Sequence, residues 1–210
     1  GRAAPALLDS YEAERRPVGA DVIARTVAAS QNYGRERGGQ PDRLADTQLR
    51  VSYRGTAWVR DEAGDARGDA GAEVPLAGDR APDVQGLRRH GVGFPLRLFD
   101  MLRGTEHVLV VSLGGPDAAR QLAELADAAA GLVAQSALPL RLIAIAPAST
   151  AIEARPGVAL LEDAGGAFAQ AYGGAGGCLL VRPDGYIGWR GPSWRSEGLL
   201  AYLRQFALAE

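Results

Sequence analysis

The sequence contains no lysine, and all 23 of its basic residues are arginines. A phosphate-binding G-x-x-x-x-G-K-[ST] loop, a Schiff-base lysine and a lysine general base are therefore excluded. Cys178 is the only cysteine, so the chain has neither an internal disulfide nor a C-x-x-C pair. The lack of a disulfide favours a reducing compartment, and we expect a cytoplasmic protein.

Histidine is almost as scarce, because His90 and His107 are the only two. The zinc motif H-E-x-x-H is absent, and so are the G-x-S-x-G and G-x-G-x-x-G motifs. His90 lies in the polar stretch LRRHGVG and His107 begins an apolar run. Neither has a partner in the sequence for a metal site or a catalytic triad, so we expect both to be structural or solvated.

The composition of the 210 residues also excludes several partners. No apolar run approaches the roughly 18–20 residues of a membrane span, and the first residues lack the pattern of a signal peptide. The net charge of -2 gives no reason to expect nucleic acid or an anionic membrane as partner. A hydrophobic content of 47% is typical of a globular protein.

An N-terminal helix is predicted over residues 5–31, with its apolar side chains in two stripes. Pro17 falls between the stripes and is expected to kink or split the helix. An isolated helix does not support so much apolar surface, so this one needs something to pack on. We therefore divide the chain into a helical segment (1–33), a polar linker (34–48) and a domain (49–210).

The domain alternates between strand and helix patterns, which predicts an α/β fold. Strands are expected at 49–54, 107–113 and 140–146, and 96–102 fits either a strand or a short helix. A helix from Pro116 to about Ser136 connects two of these strands and makes them parallel. Later elements are a helix at 164–172 capped by Asp163, a hairpin of 178–182 with 186–190, and a last helix starting at Ser193 or Ser196.

The acidic stretch 61–83 has two interpretations, a long solvated loop or a calcium site. Its carboxylates lack the D-x-[DN]-x-[DN]-G spacing of a calcium loop, which favours the solvated loop.

The order of these elements resembles the thioredoxin fold, and within it the peroxiredoxin-like branch. The resemblance is carried by GDRAPDV (78–84), the apolar strand 107–113, LLEDAGGAFAQAYG (160–173) and LLVRPDGYIGWR (179–190). It implies an α/β domain with a mixed sheet flanked by helices, preceded by the helical segment.

The redox residues of that fold are missing. A peroxiredoxin carries P-x-x-x-T-x-x-C after the strand equivalent to 107–113, where this chain has GGPDAARQL. A thioredoxin carries C-x-x-C there and a cis-proline where this chain has Gly176, Gly177 and Cys178. Cys178 begins an apolar strand, and nothing in the sequence lowers the pKa of its thiol. A small buried residue is therefore favoured over a catalytic thiol.

A second resemblance concerns LLDSYEAERRPVG (7–19), which is similar to the helix that follows the flavin domain in FAD-dependent aromatic hydroxylases. These enzymes act on phenols, hydroxybenzoate and aromatic polyketides, and many larger members end in a thioredoxin-like domain without active cysteines. Both halves of this chain fit that layout in the right order. The chain thus resembles the C-terminal part of such a hydroxylase, which would use NAD(P)H and FAD as a complete enzyme.

The resemblance implies a non-catalytic structural or dimerisation role, with the flavin domain or a second copy as partner. We predict no catalytic, cofactor-binding or metal-binding residue in this chain. Two alternatives remain open, a divergent single-cysteine thiol peroxidase or reductase using Cys178, and a free-standing interaction module using residues 7–27.

Two further groups of side chains have alternative roles. Glu14, Arg15 and Arg16 either contact flavin or a neighbouring domain, or form an exposed helical face with an ion pair, which is favoured. The aromatic residues near the hairpin form a binding platform or pack in the core or an interface, and packing is favoured. They are Tyr186, Trp189 and Trp194.

Overall fold

A computed structural model describes residues 5–32, 47–64, 74–89, 92–148, 150, 152–174 and 177–206. The strands are β1 (Arg60–Asp61), β2 (Leu87–Arg89), β3 (Pro95–Leu96), β4 (His107–Ser112), β5 (Leu140–Pro147), β6 (Ala159–Asp163), β7 (Gly177–Val181) and β8 (Ile187–Gly191). The helices in the described ranges are α1 (Ala6–Asn32), α2 (Leu98–Met101), α3 (Ala118–Gln135), α4 (Ala167–Tyr172) and α5 (Glu197–Arg204). None of these helices is long and apolar enough to cross a membrane.

All eight strands form one mixed sheet in the order β1-β8-β7-β4-β5-β6-β2-β3. Helix α3 connects the parallel strands β4 and β5, and β7 runs antiparallel to β4 and forms a hairpin with β8. A β-α-β unit followed by a hairpin and a closing helix is the thioredoxin-like arrangement, so the predicted fold class is confirmed. The two buried strands, the crossover helix and the hairpin all lie where the sequence predicts them.

Two hydrophobic cores lie on opposite faces of the sheet because side chains alternate along each strand. On β4, Leu109 and Val111 face the core covered by α3 and α5, whereas Val108 and Val110 face the core covered by α2 and α4. Both faces of the central strands are therefore apolar, which explains their continuous hydrophobic runs.

Helix α1 is a single helix that runs through Pro17, so of the expected kink or split, the split is wrong. Pro17 is exposed, and residues on both sides of it approach the domain, with Leu7 packed against the α3–α5 core and Val18 half-buried. The Leu7 contact and the buried Glu14 hold the N-terminal half of the helix on the domain despite the backbone hydrogen bond that proline removes.

The strand expected at 49–54 is also wrong. Residues 47–50 form a turn in which Gln48 has a φ of 56°. The Tyr53 N–H donates to the carbonyl of Gly78 at 2.8 Å, outside the sheet. The sheet edge is occupied instead by β1, which begins a few residues after this stretch and pairs with β8.

Two other predictions need adjustment. The stretch 96–102 contains both alternatives, the end of β3 and then α2. Helix α4 begins at Ala167 instead of residue 164, because β6 extends to Asp163 and Gly166 takes a left-handed φ of 71°. Asp163 still acts as a cap from a distance, since its Oδ2 accepts the Ala169 N–H at 3.0 Å.

Candidate functional site

Cys178 lies in β7, paired with Val111 of β4 and Gly191 of β8. Its side chain is buried in the α3–α5 core, and only 4% of the residue is exposed. Burial raises the pKa of the thiol to about 12, against the weaker opposing effect of a hydrogen bond from the Trp194 backbone. The thiol is therefore protonated at neutral pH, and the thiolate needed for nucleophilic attack is scarce.

Two small cavities flank Cys178, with volumes of about 160 and 180 Å³. Both are lined by Ser112, Gly177 and Pro192. They fall below the about 300 Å³ at which ligand pockets begin, so a group as large as FAD does not fit here. Among the described residues, no three His, Cys, Asp or Glu side chains lie close enough to bind a metal. Residues 65–73 of the acidic stretch fall outside those described.

His107 is buried at the start of β4, with its ring centroid 5.9 Å from that of Phe206. Burial lowers its pKa to about 4, and the nearby Arg182 adds to the shift. The neutral ring is part of the core, which is the structural role expected for it. His90 lies outside the described residues.

The residue that sequence reasoning missed is Arg182, which follows β7 and contacts α1. Its guanidinium donates from Nη1 to Glu14 Oε1 at 2.6 Å and from Nη2 to Glu14 Oε2 at 2.7 Å. The Arg182 side chain is 16% exposed and that of Glu14 only 3%. Asp184 accepts a further bond from Nη2 at 2.6 Å. The exposed role favoured for Glu14 is therefore wrong.

Aromatic side chains from a third segment complete this contact. The Arg182 guanidinium lies 5.6 Å from the ring centroid of Tyr53, and that ring is tilted by 40° against the Tyr186 ring, with the two centroids 4.4 Å apart. The Tyr53 hydroxyl accepts from Arg15 Nη1 at 3.0 Å. We call Glu14, Arg15, Tyr53, Arg182, Asp184 and Tyr186 the α1 contact cluster. Arg16 is not part of it, because it is exposed and pairs with Glu12.

No signal in the sequence links Glu14 to Arg182, since the two are 168 positions apart. The same holds for Arg190, whose buried side chain binds Asp61 of β1 through two nitrogens. Both arginines lie in the LLVRPDGYIGWR stretch. Their position among apolar strand residues is the only indication in the sequence that they are buried with a charged partner.

The aromatic residues near the hairpin form no common platform. Trp189 is fully buried in the α3–α5 core, and Tyr186 belongs to the α1 contact cluster. Trp194 is partly buried, and its ring lies 4.2 Å from the guanidinium carbon of Arg195. The packing interpretation is confirmed.

The outer surface of α1 carries large apolar side chains beside exposed charged ones such as Glu12, Arg16 and Asp21. Its large exposed apolar side chains, with their exposed fractions, are Leu8 (77%), Tyr11 (68%), Ile23 (66%) and Val27 (48%). We call these four residues the outer face of α1. The expected need of this helix for an additional packing surface therefore persists in the folded chain.

Comparison with known proteins identifies relatives of this fold. A family model described as the C-terminal domain of aromatic-ring hydroxylases matches residues 74–207. A 4-methyl-5-nitrocatechol 5-monooxygenase from Burkholderia sp. is 32% identical over 207 residues, covering 90% of this chain and 33% of the relative. A pentachlorophenol 4-monooxygenase from Sphingobium chlorophenolicum is 29% identical, covering 89% of this chain and 34% of the relative.

A solved structure is similar over nearly the whole chain. The aklavinone-11 hydroxylase, determined with FAD and aklavinone, superposes with a TM-score of 0.64 and 28% identity. The match covers 97% of this chain and 36% of that one. The chain spans about a third of the length of the relatives it matches. By its matched sequence and its fold, this chain belongs to the C-terminal domain family of the aromatic-ring hydroxylases.

Proposed function

We propose that this chain is the non-catalytic C-terminal part of an FAD-dependent aromatic-ring monooxygenase, where it supports the flavin domain. The observation that carries the proposal is the outer face of α1, which remains exposed although the helix is fixed to the domain near Glu14. Burying a large apolar side chain contributes about 1.5–3 kcal/mol, so four of them favour an apolar partner.

The partner that we propose is the flavin domain of the same protein. The matched relatives are about three times as long as this chain, which leaves room for such a domain. The aklavinone-11 hydroxylase structure contains FAD, which supports the assignment. A second copy of this chain is the other possible occupant of the outer face and is distinguished by experiment.

The complete protein would use NAD(P)H to reduce FAD and would hydroxylate a phenolic or polyketide ring. The residues of this chain take no part in that chemistry. Cys178 is buried and the pKa of its thiol is raised, and the cavities beside it are too small for a flavin. The same burial weighs against the thiol peroxidase alternative.

Flavin retention in the complete protein tests the proposal. An Ile23→Glu/Val27→Glu variant is expected to lose FAD during gel filtration, because two charges on the outer face oppose its burial. The same double substitution in the 210-residue chain is expected to leave the melting temperature nearly unchanged. The matched control is Val133→Glu, at an exposed position on α3, which is expected to retain FAD.

Full FAD retention by the Ile23→Glu/Val27→Glu protein would contradict the proposal. Light scattering on the 210-residue chain separates the two occupants. A dimer that the same double substitution converts to a monomer would favour a second copy over the flavin domain.

A further inference from the structure

The buried residues of α1 are polar, which is unusual for a helix packed on a domain. Among its described side chains, only Ser10 and Glu14 are fully buried. Ser10 satisfies itself within the helix by donating to the Leu7 carbonyl at 2.6 Å. Leu7 is the one apolar side chain of α1 packed against the core of the described structure. Apolar burial therefore contributes little to fixing the orientation of α1 on the domain.

The Glu14 carboxylate fixes the orientation that apolar burial leaves undetermined. Its two oxygens meet two guanidinium nitrogens of Arg182, at 2.6 and 2.7 Å. Such a paired geometry fixes both the rotation of the helix and its position along its axis, which an apolar contact does not. Tyr53 and Asp184 hold the guanidinium in place from the other sides.

The second half of α1 lines an open groove. An open groove of about 380 Å³ separates Pro17, Val18 and Asp21 from the segment around Val51. The contacts of Glu14 and Arg15 with the domain lie on the N-terminal side of Pro17. A small tilt of the helix axis about Glu14 would displace Ile23 and Val27 by a larger distance, since they lie two to four turns further along.

We propose that the buried pair of Glu14 and Arg182 sets the orientation of α1 on the thioredoxin-like domain, so that the outer face of α1 is held in one orientation toward the N-terminal part of the protein. The identity of that partner rests on the proposed function, whereas the contact itself does not. Arg182 and Glu14 are positioning residues, with no role in the reaction.

Hydrogen exchange of the 210-residue chain, followed by mass spectrometry, tests the positioning role. In Glu14→Gln and in Arg182→Gln, amides of α1 are expected to exchange at least tenfold faster. Arg182→Gln leaves the buried Glu14 carboxylate without its charged partner, and Glu14→Gln removes the carboxylate that ties Arg182 to the helix. Amides of β4 and β5 are expected to exchange as before. The control Glu12→Gln removes the exposed pair with Arg16 and is expected to change α1 exchange less than twofold.

The Glu14→Gln/Arg182→Gln double variant adds a second criterion. If the two residues act through one another, α1 in the double variant exchanges no faster than in the single variants. Unchanged α1 exchange in Glu14→Gln, or multiplied effects in the double variant, would overturn the positioning role. Should Arg182→Gln fail to fold, Glu14→Gln alone decides, since it alters only the helix.

The test of the Glu14–Arg182 contact and the test of the proposed function can give different outcomes. Faster α1 exchange in the short chain, together with normal FAD retention by the complete protein carrying Glu14→Gln, would support the contact and contradict its link to the flavin domain. Unchanged exchange in the short chain would overturn the contact whatever the complete protein retains.

Discussion

At the scale of single residues, Cys178 and Glu14 show how burial decides the chemistry of a side chain. Cys178 is buried without a charged partner, so the pKa of its thiol rises to about 12. Glu14 is buried to the same extent, but Arg182 meets both of its oxygens. One residue is thereby made unreactive, and the other becomes a structural contact.

The unreactive state of Cys178 predicts slow modification by a thiol reagent. At pH 7.5 the native chain is expected to react with a disulfide reagent at least 100-fold more slowly than in denaturant, because the thiolate is scarce and the sulfur is inaccessible. Peroxide consumption is expected to be at background level both before and after Cys178→Ser. Rapid labelling of the native protein, or peroxide turnover lost in Cys178→Ser, would restore the peroxidase alternative.

The lowered pKa of His107 predicts that the protein loses stability in weak acid. Its pKa is about 4 when folded and about 6.5 when unfolded, so the unfolded chain binds a proton first as the pH falls. The stabilising contribution of the neutral ring is complete above pH 6.5 and is lost progressively as the pH falls toward 4. Between pH 7 and pH 5 the loss amounts to about 2 kcal/mol.

Urea unfolding at the two pH values measures this effect. The wild-type chain is expected to lose about 2 kcal/mol more than His107→Leu over the same interval. An equal loss in the two proteins would show that His107 already binds its proton in the folded state.

Residue-level prediction succeeds where the cause is local. The apolar strand around Cys178 indicates a buried thiol without reference to any distant residue. The environment of Glu14 depends on Arg182 at the other end of the chain, and no local pattern carries that information. The exposed interpretation of Glu14 is the normal expectation for a charged residue on a helix.

At the scale of elements, α5 shows a helix start that the sequence identifies. Ser196 caps this helix, as its Oγ accepts the Gly198 N–H at 3.0 Å and donates to Glu62 Oε2 at 2.5 Å. The hydroxyl of Ser193, the other candidate, accepts only from the Arg195 N–H in the preceding turn among the described contacts.

Substitution of the two serines separates their roles. Ser196→Ala is expected to lower the free energy of unfolding by about 1–2 kcal/mol, since it removes the cap and the partner of Glu62. Ser193→Ala is expected to cost less than about 0.5 kcal/mol. Urea unfolding of both variants provides the measurement, and equal costs would contradict this assignment of the cap.

Element prediction follows the same division between local and distant causes. The continuous apolar runs of β4 and β5 predict buried strands because both faces of the sheet are covered. The alternating stretch 49–54 looks like a strand, but β1 takes the available edge of β8. The short strand β2 depends on its pairing with β3 and β6 and leaves little local pattern.

At the scale of the whole molecule, α1 has two different sides. One side is fixed to the domain through the α1 contact cluster, and the outer face is left apolar and exposed. The matched relatives are about three times as long, which agrees with a helix placed between two domains. The central claim is therefore that the outer face is covered in the complete protein.

Thiol labelling at position 23 tests this claim directly, because Cys178 is buried and serves as an internal unreactive reference. Ile23→Cys is expected to react rapidly with a maleimide in the 210-residue chain and at least tenfold more slowly in the complete protein. Val133→Cys, on α3, is expected to react at similar rates in both. Equal, rapid labelling of position 23 in the two proteins would contradict the account, because the outer face of α1 would then have no partner in the complete protein.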